Sequence, residues 1–124
     1  MISVGTYLDV SDNSGAKIAQ CIRILSKQQG HFATVGDVIV VTIKKANSKY
    51  KGKATAGQVY RGVILETKKE VTRKDGSLFS FDRNVVALMT PQENPMGTRI
   101  TGFASYELRA KGKMKFIALS SSSF

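Results

Sequence analysis

The segment Lys44-Lys45-Ala46-Asn47-Ser48-Lys49-Tyr50-Lys51-Gly52-Lys53 carries five lysines, one aromatic ring and no carboxylate. Ammonium groups at this density repel one another, and a polyanion relieves the repulsion. A second basic segment, from Lys68 and Lys69 to Arg73 and Lys74, follows an apolar run. Lysines meet phosphates as point charges, whereas Arg73, Arg99 and Arg109 present a fork of donors that can hold two oxygens. Contacts of this kind position a nucleic acid without reading its sequence. Tyr50, set among the lysines, offers a ring on which an unpaired base can stack, though one ring is a thin platform and could equally cover an edge of the fold. Either segment taken alone also fits a solvated charged face. The whole chain argues against that, with 19 basic and 9 acidic residues and a net charge of +10 in 124 residues.

Other chemistries find little support. Cys21 and His31 are the chain's one cysteine and one histidine. Cys21 lies in an apolar run, where a cysteine is usually a small buried hydrophobe, and His31 lies in a polar loop with no partner suggested nearby. Nucleophilic catalysis is therefore not expected, and one Cys with one His does not complete a zinc site. The acids are scattered, with no spacing that pairs two carboxylates. Gly30, Gly36 and Gly57 do not form a phosphate-cradling loop before a helix. No cofactor is expected. A single cysteine allows no internal disulfide, which fits a reducing compartment. Asn13 and Ser14 could bond RNA, but holding a tight turn is their simpler job. Met1 to Val10 lack the basic start and apolar stretch of a signal peptide. The apolar runs are too short to span a bilayer as a helix, and no long basic amphipathic helix suggests a membrane surface.

The elements that must carry the basic segments read as strands and turns. Thr6 to Val10 is a short strand closed by Asp12-Asn13-Ser14-Gly15. In Ile18 to Leu25, strict alternation sends Ile22 and Ile24 to one face and Cys21 and Arg23 to the other. Val35-Gly36-Asp37 turns into Val38 to Ile43, a β-branched run suited to a strand buried on both faces or to a barrel wall. Gly57 opens Val59 to Thr67. Asp75-Gly76, between two extended runs, predicts a hairpin with a two-residue turn. Val85 to Met89 is the last clear strand. Beyond Thr90, Pro91 and Pro95 bracket a polar loop. Tyr106 with Arg109, and Met114 with Ile117, have helical spacing in short stretches, and Ser120 to Ser123 is a polar tail with no packing signal. Short strands with glycine-rich turns predict a small closed β-barrel in a single domain.

Several motifs coincide along this path. Asp12-Asn13-Ser14-Gly15-Ala16, Val35-Gly36-Asp37 and Thr42-Ile43-Lys44 occur in order, followed by Thr67-Lys68-Lys69, Arg73 with Asp75-Gly76-Ser77, and Phe81-Asp82 with Asn84. Gly97-Thr98-Arg99-Ile100, then Glu107-Leu108-Arg109 and Met114-Lys115, complete the series. Each is weak alone, but together and in register they are specific. The chain resembles the bacterial-type family of ribosomal large-subunit protein fourteen, from Met1 to about Leu119.

That resemblance implies a mainly β fold: a closed five-stranded β-barrel (about residues 1–90), a projecting β-ribbon, a short helical C-terminal part (about 91–119) and then a polar tail (120–124). It implies a structural, non-enzymatic role in the large ribosomal subunit. The expected rRNA-binding residues are Lys44, Lys45, Lys49, Lys51, Lys53, Lys68, Lys69, Arg73, Lys74 and Arg109. An intersubunit bridge to small-subunit rRNA is expected at Gly97, Thr98, Arg99 and Lys115. Large-subunit proteins three and nineteen are the expected neighbours. The sequence departs from the bacterial pattern in a longer lysine-rich stretch, in Gln58 where an acid is usual, in Ala87 where a bulkier residue is usual, and in the serine-rich tail. These departures resemble an organellar member, with the mitochondrial matrix favoured over a bacterial cytoplasm.

Overall fold

The computed structural model describes residues 2–25, 32–46, 54–68, 71–72, 76, 78–79, 83–97, 100–104, 115–116 and 120–123. Its strands, in chain order, are β1 (Tyr7–Val10), β2 (Ala16–Ile24), β3 (Val38–Ala46), β4 (Val59–Glu66), β5 (Val71–Thr72), β6 (Leu78–Phe79), β7 (Val85–Met89), β8 (Ile100–Ala104) and β9 (Ser120–Ser123). Strands β1, β2, β3, β4 and β7 close into a five-stranded barrel. The neighbours β1 to β4 run antiparallel, as does β4 with β7. Closure comes from a parallel pairing of β1 with β7, Asp9 opposite Val85 and Val10 opposite Val86. A closed barrel leaves no free edge to template pairing with another chain.

Alternation fills the interior. Ile39, Val41 and Ile43 of β3 point inward and are buried, while Val38, Val40 and Thr42 are half-buried on the wall. They meet Leu8, Ala19, Cys21, Ile64, Val86 and Leu88 in one apolar cluster. The β-branched run of β3 is therefore a barrel wall, buried fully on one face only.

The strands sealed on both faces are β7 and the second half of β4. Their outward residues Val63, Leu65, Val85, Ala87 and Met89 form a second buried cluster beneath Ile100 and Phe116. The C-terminal part thus caps the outside of the barrel. An all-apolar Val-Val-Ala-Leu-Met strand has no polar face because both faces are covered.

Strict alternation fails in β2. Cys21 pairs with Val41 but Arg23 pairs with Val40, so an extra residue bulges from the strand. The bulge breaks the period of two. Ile22 is exposed, while Ile24, expected on the same face, is buried.

The ribbon is the antiparallel pair β5–β6, with Val71 opposite Phe79 and Thr72 opposite Leu78. The expected hairpin is therefore present, and Gly76 has φ +89°, the left-handed conformation that hairpin connections require. The rest of the connection, Asp75 included, lies outside the described residues.

Ser120 to Ser123, read from sequence as an unpacked tail, form β9 and pair in parallel with β8. A serine run carries no apolar alternation, and a ladder of backbone hydrogen bonds does not need one. The expected short helical C-terminal part (about 91–119) is corrected over most of its described residues. Residues 91–97 form turns and bends, Ile100–Ala104 form strand β8, and of the described residues there Lys115 and Phe116 are helical. The spacings at Tyr106, Arg109, Met114 and Ile117 lie outside the described residues.

Candidate nucleic-acid interface

Both basic segments leave the barrel at strand ends, and they leave from opposite ends of β4. At the first end, Lys44 and Lys45 are the exposed last turn-out of β3, with Lys45 paired to Ile18 and Ala46 paired to Ala16. The chain returns at Ala54, which is buried and whose N–H donates to the Ser14 carbonyl at 3.0 Å. The loop carrying Lys49, Lys51 and Lys53 is thus pinned at both feet to the turn formed by residues 12–16. Those three lysines and Tyr50 themselves lie outside the described residues.

That turn is organised by Asp12. Its Oδ1 accepts the Ser14 N–H at 3.2 Å and the Ser14 hydroxyl at 2.5 Å, a local bond that replaces a backbone turn bond. Its Oδ2 accepts the N–H of Leu88 on β7 at 2.9 Å. Burial pushes the Asp12 carboxyl above its ordinary 3.8, and the bonds from Ser14 and Leu88 oppose the rise. The turn lies where the sequence predicts it, over Asp12-Asn13-Ser14-Gly15. The residue that joins it to the barrel is Asp12.

Gly97 sits against the same turn. A side-chain carbon at Gly97 would lie 2.6 Å from Asn13 Oδ1, 3.1 Å from Asp12 Cβ and 3.2 Å from the Asn13 nitrogen. The close approach expected of Gly97 is therefore made to its own chain. Asp12 also bridges Ile100 at the start of β8. Thus the feet of the lysine loop and the two described ends of the Gly97–Ile100 segment converge on one turn. Thr98 and Arg99 lie outside the described residues. Lys115 is exposed, and its ammonium donates to Asn94 Oδ1 in the polar loop after β7.

At the second end, Lys68 and Arg83 stand at the two roots of the ribbon. The Lys68 N–H donates to Asn84 Oδ1 at 3.0 Å, and the Asn84 carbonyl accepts the Asp9 N–H at 3.0 Å. Arg83 makes a 4.0 Å ion pair with Asp9, both side chains about half exposed. Lys69, Arg73, Lys74 and Arg109 lie outside the described residues. Sequence reading did not single out Arg83 or Tyr7. Neither sits in a charge run, and only the parallel closure of β1 on β7 brings them together.

Cys21 is fully buried in the barrel interior, where desolvation pushes its thiol up and disfavours the reactive thiolate. Among the described residues, no group of three or more His, Cys, Asp or Glu side chains could hold a metal.

This arrangement suits a scaffold that carries cationic segments on a rigid, closed core, with all four described lysines of the basic segments and C-terminal part, Lys44, Lys45, Lys68 and Lys115, exposed. Over residues 1–124 the chain matches the model of the family Ribosomal protein L14p/L23e, and it belongs to that family of structural proteins of the large ribosomal subunit.

Proposed function

We propose that the chain binds large-subunit rRNA through the lysine loop and the ribbon, and contributes through residues 97–99 and Lys115 to a bridge with small-subunit rRNA during translation. The observation that carries this reading is the exit of two basic segments from opposite ends of one barrel. Two RNA helices gripped at opposite ends of a rigid body are held at a fixed separation, which is a structural service and needs no catalysis. Lys44, Lys45, Lys49, Lys51 and Lys53 act at one end. Lys68, Lys69, Arg73 and Lys74 act at the other, and Arg109 adds a forked contact from the C-terminal part. Large-subunit proteins three and nineteen are the neighbours that the family resemblance implies. The departures at Gln58, Ala87 and the serine tail favour a mitochondrial ribosome. The test is binding of the full chain to large-subunit rRNA fragments against salt. Each neutralised phosphate contributes roughly −0.9 to the slope of log K against log salt on duplex. A slope of several units is expected, and a slope near zero overturns the reading.

A further inference from the structure

The ribbon roots and the start of β1 enclose a cleft of about 290 Å³, lined by Tyr7, Asp9, Ile18, Lys68, Arg83 and Asn84. That volume is at the low end for small-molecule sites, which begin on the order of 300 Å³, so it suits a single base. Tyr7 and Asp9 stand on the outer face of β1, opposite Gln20 and Ile18 of β2. Tyr7 is 59% exposed. The cleft therefore brings together an exposed aromatic ring, the apolar side chain of Ile18, two cations and a carboxylate. The Arg83–Asp9 pair is long and half exposed, so it holds little energy and can be exchanged for a ligand.

We infer that this cleft holds one unpaired nucleotide extruded from an RNA helix, its base stacked on Tyr7 and its phosphate held by Lys68 and Arg83. This rests on the RNA-binding reading above and adds a site to it. Stacking on an aromatic ring is how proteins hold bases that have left a helix. Arg83 supplies a fork for two phosphate oxygens and Lys68 a point charge. Asn84 has its Oδ1 committed to the Lys68 N–H, which leaves its amide N–H₂ to donate to a base edge. Asp9 accepts, and guanine presents two adjacent N–H donors to a carboxylate, so guanine is the base that matches best.

The test compares the full chain on two RNA duplexes, identical except that one carries a single bulged guanosine. The wild type is expected to prefer the bulged duplex by about tenfold, the size of one base–aromatic stack. Tyr7→Phe should keep the preference and Tyr7→Leu should abolish it, with binding to the unbulged duplex unchanged in both. Cooperative unfolding of each variant confirms that the exposed substitution leaves the fold intact. Equal wild-type affinities for the two duplexes, or a preference that survives Tyr7→Leu, overturns the nucleotide site while leaving general RNA binding in place. Failure to bind either duplex sinks the RNA-binding reading and the site with it.

Discussion

The carboxylate of Asp12 accepts the backbone N–H of Leu88 at 2.9 Å, and this bond ties the turn under the lysine loop to the barrel wall. Leu88 is buried, so its N–H has little access to water as a substitute. Asp12→Asn keeps the size but replaces one acceptor with a donor, which must face the Leu88 N–H or the two Ser14 donors. The expected loss is about 1–3 kcal/mol, the cost of leaving a buried donor unpaired. Its pH dependence has a definite sign. Burial raises the folded carboxyl above 3.8, so on acidification the folded state takes up this proton before the unfolded chain does. The Asp12 contribution is full below 3.8 and is lost as pH rises through the raised folded value. Urea unfolding of both proteins from neutral pH downward should show a stability gap that widens on acidification. A gap that narrows would place the dominant effect in the hydrogen bonds rather than in desolvation.

Phe116 is 2% exposed and packs on the outer cluster of Val63, Leu65, Val85, Ala87 and Met89. It belongs to a different apolar cluster from the barrel interior. Phe116→Ala should cost about 3–5 kcal/mol where the ring is removed from a packed site. Because the interior cluster is untouched, amide exchange is expected to quicken first in β8 and β9 and to stay slow in β2 and β3. Uniform loss of protection would mean that cap and barrel unfold as one unit. Lys115 adjoins Phe116, so detaching the ring also frees the lysine from its place beside Asn94.

Sequence reading reached the barrel because its signals are local. Turn residues at 12–15, 35–37 and 57 bound apolar runs, and those runs became β1 to β4 with β7. It missed what depends on distant partners. The bulge at Ile22 follows from register with β3, and no local pattern announces it. The burial of both faces of β7 requires Phe116 and Ile100, which are remote in sequence. The Asp12–Leu88 bond and the Tyr7–Arg83 cleft likewise exist only once β1 lies beside β7. Charge runs revealed the lysine segments, whereas Arg83 works alone and left no pattern.

Lys49, Lys51 and Lys53 are expected to add to affinity more than to specificity, because lysines meet phosphates as point charges. Changing all three to Gln should weaken binding to unrelated RNAs by similar factors and make the salt slope shallower. The feet of their loop are fixed at Ala46 and Ala54 by backbone bonds that the substitutions spare. Stability should therefore change by about 0.5 kcal/mol or less. A loss confined to one RNA would show that the loop reads a particular structure.

Arg99 is the most direct test of the bridge. Gly97 approaches Asn13 too closely to leave room for a side chain, and Ile100 is buried and bridged to Asp12. Arg99 stands in sequence between these two residues, both of which contact the turn at Asp12 and Asn13. The competing role for Arg99 is an ion pair with Glu107 that stabilises the C-terminal part. A charged hydrogen bond at such a contact is worth about 1.5–3 kcal/mol, enough to shift an association constant tenfold or more. Arg99→Ala should enter large subunits as well as the wild type does, and those subunits should need more magnesium to join small subunits. The measurement is the fraction of joined ribosomes against magnesium, wild type beside variant. Coinciding curves would remove Arg99 from the bridge. A variant that fails to enter the large subunit would assign it instead to holding the C-terminal part together.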